Sequence, residues 1–533
     1  MSMPRRTRII LLLLALLFLC LGIVFLPLLG FEYDEVVFIQ PLFHPAQSFA
    51  SIQLFHHVIP LMQMSYAGAL KTWIYAPVFK FYTPNPISVR LPVLFLASFT
   101  VFLIGLIVQH CASSKAAVFT CAVLASDLNF LLTSVFDWGP VVIQNLLLTT
   151  GLYFLLVQRK KSFSIPCAAF AFGLALWDKA LFVWIFSGLA ISGVMVGFRV
   201  LWRETTTKKL GLVLTALIIG AAPLLIYNFR HHGETFRGNA KLSLAEIGPK
   251  FSFLRIAINN QAFKGFFVDQ SMPRPAKINS GLLNALYWLA LRSRDASSGR
   301  FLSFLFLSLV GLVLACPPKR RLILWLELAV LIAWLQAAMT QNAGGFVHHI
   351  VIFYPVLFIA LGICADEIAN RLRNFGNVFL AVAGALLCLT GLNIINAQYV
   401  TFHRFSPSTF WTDADGALSQ YLTAHKSHPV LIADWGIATQ ADVRTRGTLP
   451  MQEISFSLKD GSLTGKQMRE WAKARSLVVL HTAEHTMFPN QNAKLASLAT
   501  ANGLALVPLK TITDQAGHPM FEIDGLLAPS STK

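Results

Sequence analysis

The sequence predicts an α-helical polytopic membrane protein of about eleven transmembrane helices, N-terminus inside and C-terminus outside, with a small C-terminal α/β domain. Three observations predict this class. Of 533 residues, 55% are hydrophobic and 13% charged, whereas soluble chains are about 45–50% apolar and about 25% charged. The apolar residues fall in separate long segments, and the basic residues cluster in alternate connections between them. Together these observations exclude fibrous, disordered and ordinary cytosolic proteins.

Eleven segments approach the roughly 20 apolar residues that a spanning helix needs. They lie near 9–29, 91–109, 116–135, 139–157, 163–177, 180–198, 210–228, 298–316, 322–340, 346–364 and 376–396. The first follows three arginines, as a signal peptide would. Because its apolar run is long and lacks a small-x-small cleavage site before Phe31, the sequence favours a retained anchor over a cleaved signal.

The charges predict the orientation of the spans. With the N-terminus inside, the short inner connections carry sixteen basic residues against three acidic ones, Glu204, Asp366 and Glu367. The basic residues are Arg5, Arg6, Arg8, Lys115, Arg159, Lys160, Lys161, Arg199, Arg203, Lys208, Lys209, Lys319, Arg320, Arg321, Arg371 and Arg373. The short outer turns hold one, Lys179. This asymmetry satisfies the positive-inside rule, so the net charge of +18 indicates orientation and not a nucleic-acid partner.

The orientation divides the chain into a transmembrane domain, residues 1–396, with outer loops 30–90 and 229–297, and an extracytoplasmic domain, residues 397–533. Loop 229–297 holds ten basic and four acidic residues. We expect it either to contact an anionic head group or to be a solvated basic loop against anionic lipid.

The last domain is predicted to be α/β because two apolar runs flank a helical stretch. The runs are Val430–Ala433 and Leu477–Leu480, and the helical stretch lies around Gly465–Ala474. Asp434, Trp435 and Gly436 follow the first run, where α/β sheets often bind ligands; a plain turn is the alternative.

Neither disulfides nor a metal centre is predicted. All seven cysteines lie in or beside spans, and neither a P-loop nor a GxGxxG motif occurs. Histidine pairs stand at 56–57, 231–232 and 348–349, but adjacent residues rarely bind the same ion. The sequence therefore assigns no cofactor, and it leaves a divalent cation open.

Acidic residues cluster directly after the first span. Glu32, Asp34 and Glu35 place three carboxylates within four residues, and their repulsion should raise at least one pKa, which suits a general base. A solvated cluster at a helix end is the alternative. Farther along, an apolar stretch is broken by Lys80, Pro84 and Pro86 and predicts an interfacial helix.

Four further charged residues lie at the predicted outer boundary. Lys71 and Arg90 lie beside the interfacial helix, either in the site or as snorkelling anchors. Asp137, in Phe136-Asp137-Trp138-Gly139-Pro140, lies in the turn between spans three and four, and Lys179 lies in the next outer turn. Boundary ionisable groups are functional candidates, although Asp178 and Lys179 could also simply form a turn. Asp127 and Glu327 receive no role.

These residues, in this order, resemble the GT-C superfamily of polytopic glycosyltransferases, which contains protein O-mannosyltransferases and the lipid A aminoarabinose transferase. The resemblance covers about residues 1–400. The matching features are Asp34-Glu35, Arg90-Leu91-Pro92, the Asp137-x-x-Pro140 turn, the Lys179 turn, Pro223 with Tyr227-Asn228, and Tyr354-Pro355. The chain departs from the pattern at two places. It has Val36-Val37 where relatives often have a small residue and an aromatic, and His348-His349 where relatives often have an Arg-Tyr.

The resemblance implies transfer of a sugar from a polyprenyl-phosphate donor to a lipid, glycan or protein acceptor on the outer face. It implies Asp34 as general base, with Glu35 as helper or orienter. Lys71, Arg90 and Lys179 would stabilise the leaving phosphate, and Lys179 is the best motif match. The expected substrate-binding residues are Lys71, Arg90, Asp137, Lys179, His348 and His349. The expected location is a bacterial inner membrane, with the site facing the periplasm or exterior and surrounded by membrane lipids.

Two other functions share this topology. A secondary transporter would show internal repeats and charged or broken helices at the midplane, and no repeat is evident. A scaffold or polymer ligase would differ in needing an acceptor polymer.

Overall fold

The computed structural model describes residues 4–204, 206–239, 241–275, 281–293 and 298–528. A helix lies at each of the eleven predicted spans. These helices are Arg5–Ile23, Pro86–Cys111, the pair Ser114–Ala125 and Leu128–Val135, Val141–Leu156, Ser164–Asp178, Val183–Glu204, Thr207–Arg230, Arg300–Leu314, Pro317–Met339, Tyr354–Arg371 and Gly376–Arg404.

Within the described part, seven helices are long and apolar enough to cross a membrane, and the bent pair makes an eighth. The helices Val141–Leu156, Ser164–Asp178 and Arg300–Leu314 are apolar but shorter. The chain is an integral multi-pass membrane protein. The total of eleven crossings stays a prediction.

An ion pair stabilises the bent helix pair. The two halves meet at 62°, and Asp127 accepts a hydrogen bond from the Phe130 amide at 2.9 Å, which caps the second half. Arg300 donates to the other carboxylate oxygen of Asp127 at 2.5 Å and to the Ser126 carbonyl at 2.9 Å. All these groups are buried. Asp127 therefore holds the bend, a role that the sequence had left open.

The predicted inner connections meet at one end of the bundle. Lys319 lies 3.0 Å from Asp366 and 2.6 Å from Glu367, and Lys115 donates to Asn377 at 2.6 Å. The predicted outer loops and the C-terminal domain meet at the other end. The side chains of residues 198–205, and thus of Arg199, Arg203 and Glu204, lie outside the described part.

The first outer loop differs in detail from the expected interfacial helix. A helix forms over Leu70–Phe81, and the next helix already begins at Pro86. Asn85 and Ser88 form a capping box that starts this second helix, with proline in its first turn. Arg90 consequently lies inside the spanning helix and not in the loop.

The outer loops contain further short elements. The first loop has a three-stranded antiparallel sheet of Ala50–Leu54, His57–Met64 and Ala67–Gly68. Strand Val268–Pro273 pairs antiparallel with Phe405–Pro407. The remaining short helices before the C-terminal domain are Tyr33–Val36, Glu234–Asn239, Ile247–Ile258, Gly281–Ser293 and Val347–Ile350.

The C-terminal domain is built on a five-stranded sheet. Its strands, in spatial order, are Met451–Glu453, Val430–Ile432, Leu477–His481, Pro519–Leu527 and Ala505–Thr513. The first three pair in parallel, and Pro519–Leu527 pairs antiparallel with both of its neighbours. Its helices are Asp415–Ala424, Ala438–Arg444, Ser455–Asp460, Gly465–Lys473 and Gln491–Ala501. The predicted strands at 430 and 477 and the helix at 465 are confirmed.

Side chains of the central strands pack on both faces of this sheet. Val430 and Ile432 join one apolar cluster, whereas Leu431 joins a second on the opposite face. Helices cover both faces, which explains why these strands are continuously apolar instead of alternating. Helix Gly376–Arg404 runs through the predicted domain boundary at 396 and leads directly into the domain.

Candidate active site

The loop after the first helix presents the acidic cluster. The side chain of Glu32 accepts a hydrogen bond from the Glu35 amide at 3.1 Å and thereby caps the short helix Tyr33–Val36. Burial and then the charges of Asp34 and Glu35 raise the pKa of Glu32 well above its ordinary value. The predicted rise of a pKa in this cluster is confirmed, with burial as a larger cause than charge repulsion.

Glu35 and Arg90 form a fully buried pair behind this loop. Arg90 donates from Nε and Nη2 to the two Glu35 oxygens at 2.6 and 2.9 Å. Its other N–H groups donate to the carbonyls of Leu26, Leu29 and Gly30 at 2.7, 2.9 and 2.6 Å. A guanidinium has five N–H donors, and all five are used. Both residues therefore hold the loop, and Arg90 has no donor left for a phosphate.

Asp34, the residue before Glu35 on the same short helix, is half-buried. Burial raises the pKa of its carboxyl above the ordinary value, while the ammonium groups of Lys179 and Lys71 act to lower it. The charge of Asp34 in turn acts, after burial, to raise the pKa of Tyr66. Asp34 thus interacts electrostatically with two cations and a phenol, whereas its neighbour Glu35 is hydrogen-bonded to Arg90.

Lys71 connects the first outer loop to the Asp137 turn. Its Nζ donates to the main-chain oxygen of Asp137 at 2.6 Å and lies 3.0 Å from the Asp137 carboxylate. The second carboxylate oxygen of Asp137 accepts from the Val142 amide at 3.1 Å, at the start of helix Val141–Leu156. The predicted site residues Lys71 and Asp137 are thus in direct contact, and the ammonium group of Lys71 directs much of its hydrogen bonding to Asp137.

Lys179 has a rigid backbone and a nearly free ammonium group. Its carbonyl accepts from the Gln144 side chain at 2.9 Å, and its backbone forms a bridge with Ala67. Among the described residues, its Nζ has one acceptor, the Gly139 carbonyl at 3.5 Å. Burial lowers the pKa of Lys179, while Asp34, Asp178 and Asp137 act to raise it.

Gly139 makes room for that ammonium group. Its φ of +96° favours glycine, and a Cβ at this position would lie 2.8 Å from the Nζ of Lys179. The glycine between Trp138 and Pro140 therefore suits the positive φ of the turn, and a side chain there would displace the Lys179 ammonium group.

Asp178 is a candidate that the sequence did not assign to the site. It is fully buried, and neither carboxylate oxygen has a hydrogen-bond donor in the part of the chain that the structure describes. It interacts electrostatically with Asp137, Lys71 and Lys179. The signal available in the sequence was its place beside Lys179 at the outer boundary, which equally suited a turn.

The two histidines differ in their surroundings. The Nδ1 of His349 accepts a hydrogen bond from the Gly344 amide at 3.0 Å, so this ring anchors a loop. The Nδ1 of His348 is buried and without a partner among the described residues, and its ring lies 5.5 Å from that of Trp138. Both histidines interact electrostatically with Lys179, so His348 is the one with an unused polar atom near the site.

Aromatic side chains connect the Asp137 turn to the rest of the outer end. Trp138 lies 5.7 Å from Phe267, of the second outer loop, and 5.7 Å from Trp411, at the start of the C-terminal domain. Phe136 packs on the same two rings and beneath the Arg90 guanidinium, which lies 4.7 Å from its centroid. Sequence reasoning gave these aromatics no role, because only the fold brings them together.

The second outer loop uses some of its basic residues internally. Arg274 pairs with Asp413 of the C-terminal domain. Lys250 lies 2.6 Å from Glu246 and donates to the Thr340 carbonyl at 2.6 Å. Residues 276–280 and 294–297 of this loop lie outside the described part. Within the described ranges, no three His, Cys, Asp or Glu side chains are arranged to hold a metal ion.

Comparison with known proteins shows a likeness in structure alone. No protein-family model and no curated protein matches the sequence. The structure is similar to ArnT from Cupriavidus metallidurans bound to undecaprenyl phosphate, with a TM-score of 0.59 and 10% identity over 96% of this chain and 97% of that chain. It is also similar to the apo state of that protein, with a TM-score of 0.58, 12% identity and the same coverage.

A third similar structure is the Archaeoglobus fulgidus oligosaccharyltransferase in complex with Zn and sulfate. Its TM-score is 0.49, with 13% identity over 92% of this chain and 69% of that chain. The likeness to ArnT extends over nearly the whole of both chains, and it confirms the resemblance drawn from the sequence motifs. The chain has the GT-C fold found in membrane glycosyltransferases.

Proposed function

We propose that the protein transfers a sugar from a polyprenyl-phosphate donor to an acceptor hydroxyl on the outer face of the membrane. One observation carries the proposal. In a GT-C fold, a half-buried carboxylate, Asp34, interacts electrostatically with Lys179, whose ammonium group has one acceptor, at 3.5 Å, among the described residues. A base and a free cation in one site are what this transfer requires.

Asp34 is the general base of the proposed reaction. The acceptor oxygen attacks the anomeric carbon of the donor, and its proton passes to the Asp34 carboxylate. Burial raises the pKa of this carboxyl, which makes it a better proton acceptor than an exposed aspartate. Glu35 keeps its charge paired with Arg90 and supports the loop.

The bond between the anomeric carbon and the phosphate oxygen breaks, and its electron pair leaves with the polyprenyl phosphate. Negative charge grows on that phosphate, and a preorganised cation stabilises it. Lys179 supplies this cation, because among the described residues its Nζ has a single acceptor, 3.5 Å away, to replace. Lys71 adds positive potential while it holds the Asp137 turn.

Asp178 and His348 are proposed as contacts of the transferred sugar. Both carry buried polar atoms without partners among the described residues, and leaving such atoms unsatisfied is costly. Sugar hydroxyls can donate to the Asp178 carboxylate and to the His348 nitrogen. This role gives the site a reason to keep a buried carboxylate that has no hydrogen-bond donor among the described residues and interacts electrostatically with Lys71 and Lys179.

The donor class and the side of the membrane complete the proposal. A lipid-linked donor reaches the site from the bilayer, and the similar ArnT structure holds undecaprenyl phosphate. The basic residues of the predicted inner connections favour an outward-facing site, and the membrane we propose is a bacterial inner membrane. The acceptor is a lipid, glycan or protein, and the sugar is a hexose or pentose.

Mass spectrometry of envelope lipids and glycans, with and without the gene, tests the function directly. We expect one sugar mass to disappear from one acceptor class and to return when the wild-type chain, but not Asp34→Asn, is supplied. Purified protein in proteoliposomes gives the second test. Uptake or counterflow of a solute with no glycosylated product would overturn the proposal in favour of a transporter.

A further inference from the structure

The C-terminal domain holds the loop that carries Asp34. The Gly30 amide donates to the Trp411 carbonyl at 2.9 Å, and the Phe31 amide donates to the Asp415 carboxylate at 3.1 Å. A Cβ on Gly30 would lie 1.8 Å from the carbonyl oxygen of Thr412, so only glycine allows this approach. Two consecutive amides of the loop are thus bound by residues almost 400 positions away.

The acceptor for the Phe31 amide is itself fixed by an arginine. Arg444 donates from Nε and Nη2 to both oxygens of Asp415, at 2.7 and 2.9 Å. Its guanidinium also lies over the ring of Phe31, 4.4 Å from the centroid. The Asp415 side chain is 6% exposed and the Arg444 side chain 16% exposed. A bidentate pair so well shielded from water has a defined geometry.

Further contacts from the same domain reach the flanks of the loop. The ring of Trp435 lies 5.1 Å from that of Tyr33, the residue before Asp34. Asp434 fixes the position of Trp435, because its carboxylate accepts from the Trp435, Met487 and Phe488 amides and bonds His481. Asp442 lies 3.0 Å from His44, farther along the first outer loop.

We propose that Asp415 and Arg444 are positioning residues for Asp34, so that the C-terminal domain is part of the active site. The inference rests on the proposed function. Gly30 is the point where the two supports meet, since Arg90 binds its carbonyl from the bundle and Trp411 binds its amide from the domain. Lys179 and Lys71 belong to other elements. We call the contacts of Trp411 and Asp415, with Arg444, to the Gly30 and Phe31 amides the clasp. The clasp therefore sets where the Asp34 carboxylate lies relative to the ammonium groups of Lys179 and Lys71.

Hydrogen exchange of the full-length protein tests the clasp without any substrate. Asp415→Ala should speed exchange of the amides in residues 30–36, and Asp415→Asn, which keeps an acceptor for the Phe31 amide, should do so less. The matched control is Asp413→Ala. It breaks the pair of the same domain with Arg274, which has no contact with the Asp34 loop among the contacts described above.

Activity assays then test positioning. With a mixture of undecaprenyl-phosphate-linked hexoses and pentoses, Asp415→Ala should lower kcat by about 10²-fold. Its affinity for undecaprenyl phosphate and its thermal midpoint should match those of the control. Exchange and kcat equal to the control would overturn the clasp, and faster exchange with unchanged kcat would overturn its positioning role. If the wild-type protein transfers no sugar, the proposed function fails, and the exchange comparison still judges the clasp.

Discussion

Asp34 and Glu35 are adjacent in sequence and lie in opposite environments. Glu35 is buried against Arg90, which spends five N–H groups on it and on three carbonyls. Asp34 is half-buried and interacts electrostatically with Lys179, whose ammonium group has one acceptor, at 3.5 Å, among the described residues. Glu35 and Arg90 use their hydrogen-bonding groups on each other and on the loop, so they support the site. Asp34 and Lys179 keep groups available for a substrate, so they are the candidates for its chemistry. A charged residue near a site is a candidate for chemistry only where it has hydrogen-bond donors or acceptors that are not already used within the protein.

The largest effect on sugar transfer is expected from a substitution of Asp34. Asp34→Asn removes the proton acceptor while keeping the shape of the side chain. We expect sugar transfer to fall by about 10²- to 10⁴-fold, with unchanged affinity for undecaprenyl phosphate. Steady-state transfer by purified protein measures the first quantity and binding titration the second. Activity within a few-fold of the wild type would remove Asp34 from the proposed mechanism.

Substitutions in the Glu35–Arg90 pair should lower the stability of the folded protein. Arg90→Met leaves the buried Glu35 carboxylate without its partner, which costs about 3–5 kcal/mol. We expect a lower thermal midpoint in detergent and a poor yield of folded protein. The double variant Glu35→Met/Arg90→Met should recover part of the loss, because it leaves no unpaired buried charge. A single variant as stable as the wild type would show that the pair does not hold the loop.

Lys179→Met should act on the donor. Losing a charged hydrogen bond to phosphate weakens binding of undecaprenyl phosphate by about 10- to 100-fold. The control is Lys115→Met, at the opposite end of the bundle, where the lysine bonds Asn377; it should bind normally. Equal effects of the two substitutions would indicate a general charge effect and not a phosphate contact.

The smallest expected effect is a shift in the pH profile. Transfer needs the Asp34 carboxylate, so activity falls as the pH drops through the pKa of this group. Burial raises that pKa, so the acid limb lies above the value of about 3.9 for an ordinary aspartate. Lys179 acts to lower the same pKa, and Lys179→Met should therefore move the limb to higher pH. A limb that moves to lower pH would contradict the proximity of the two groups.

Much of the fold could be predicted because its signals are local. Apolar length placed a helix at every predicted span, and the continuous apolar runs at 430 and 477 gave the central strands of the C-terminal sheet. The outer strands of that sheet escaped prediction. Strand Ala505–Thr513 is mostly exposed and mixes apolar with polar residues, so its pattern does not stand out from that of a loop.

The site could be predicted only as a set of residues. Sequence order brought together Asp34, Asp137 and Lys179, and the structure places these elements at one end of the bundle. Which groups are already bonded depends on distant partners. The support of the Asp34 loop by Asp415 arises from a contact across 384 residues, for which the local sequence has no signal. Nor does the local sequence show that Asp178 is buried without a hydrogen-bond donor among the described residues.

The most direct test of the central claim is a single-turnover measurement. Purified wild-type protein and Asp34→Asn are each loaded with the lipid-linked sugar mixture and given acceptor from the envelope extract, and released polyprenyl phosphate is quantified by mass spectrometry. We predict that the wild type releases the lipid phosphate together with a glycosylated acceptor, and that Asp34→Asn retains its donor intact. Release at the same rate by both proteins would contradict the account.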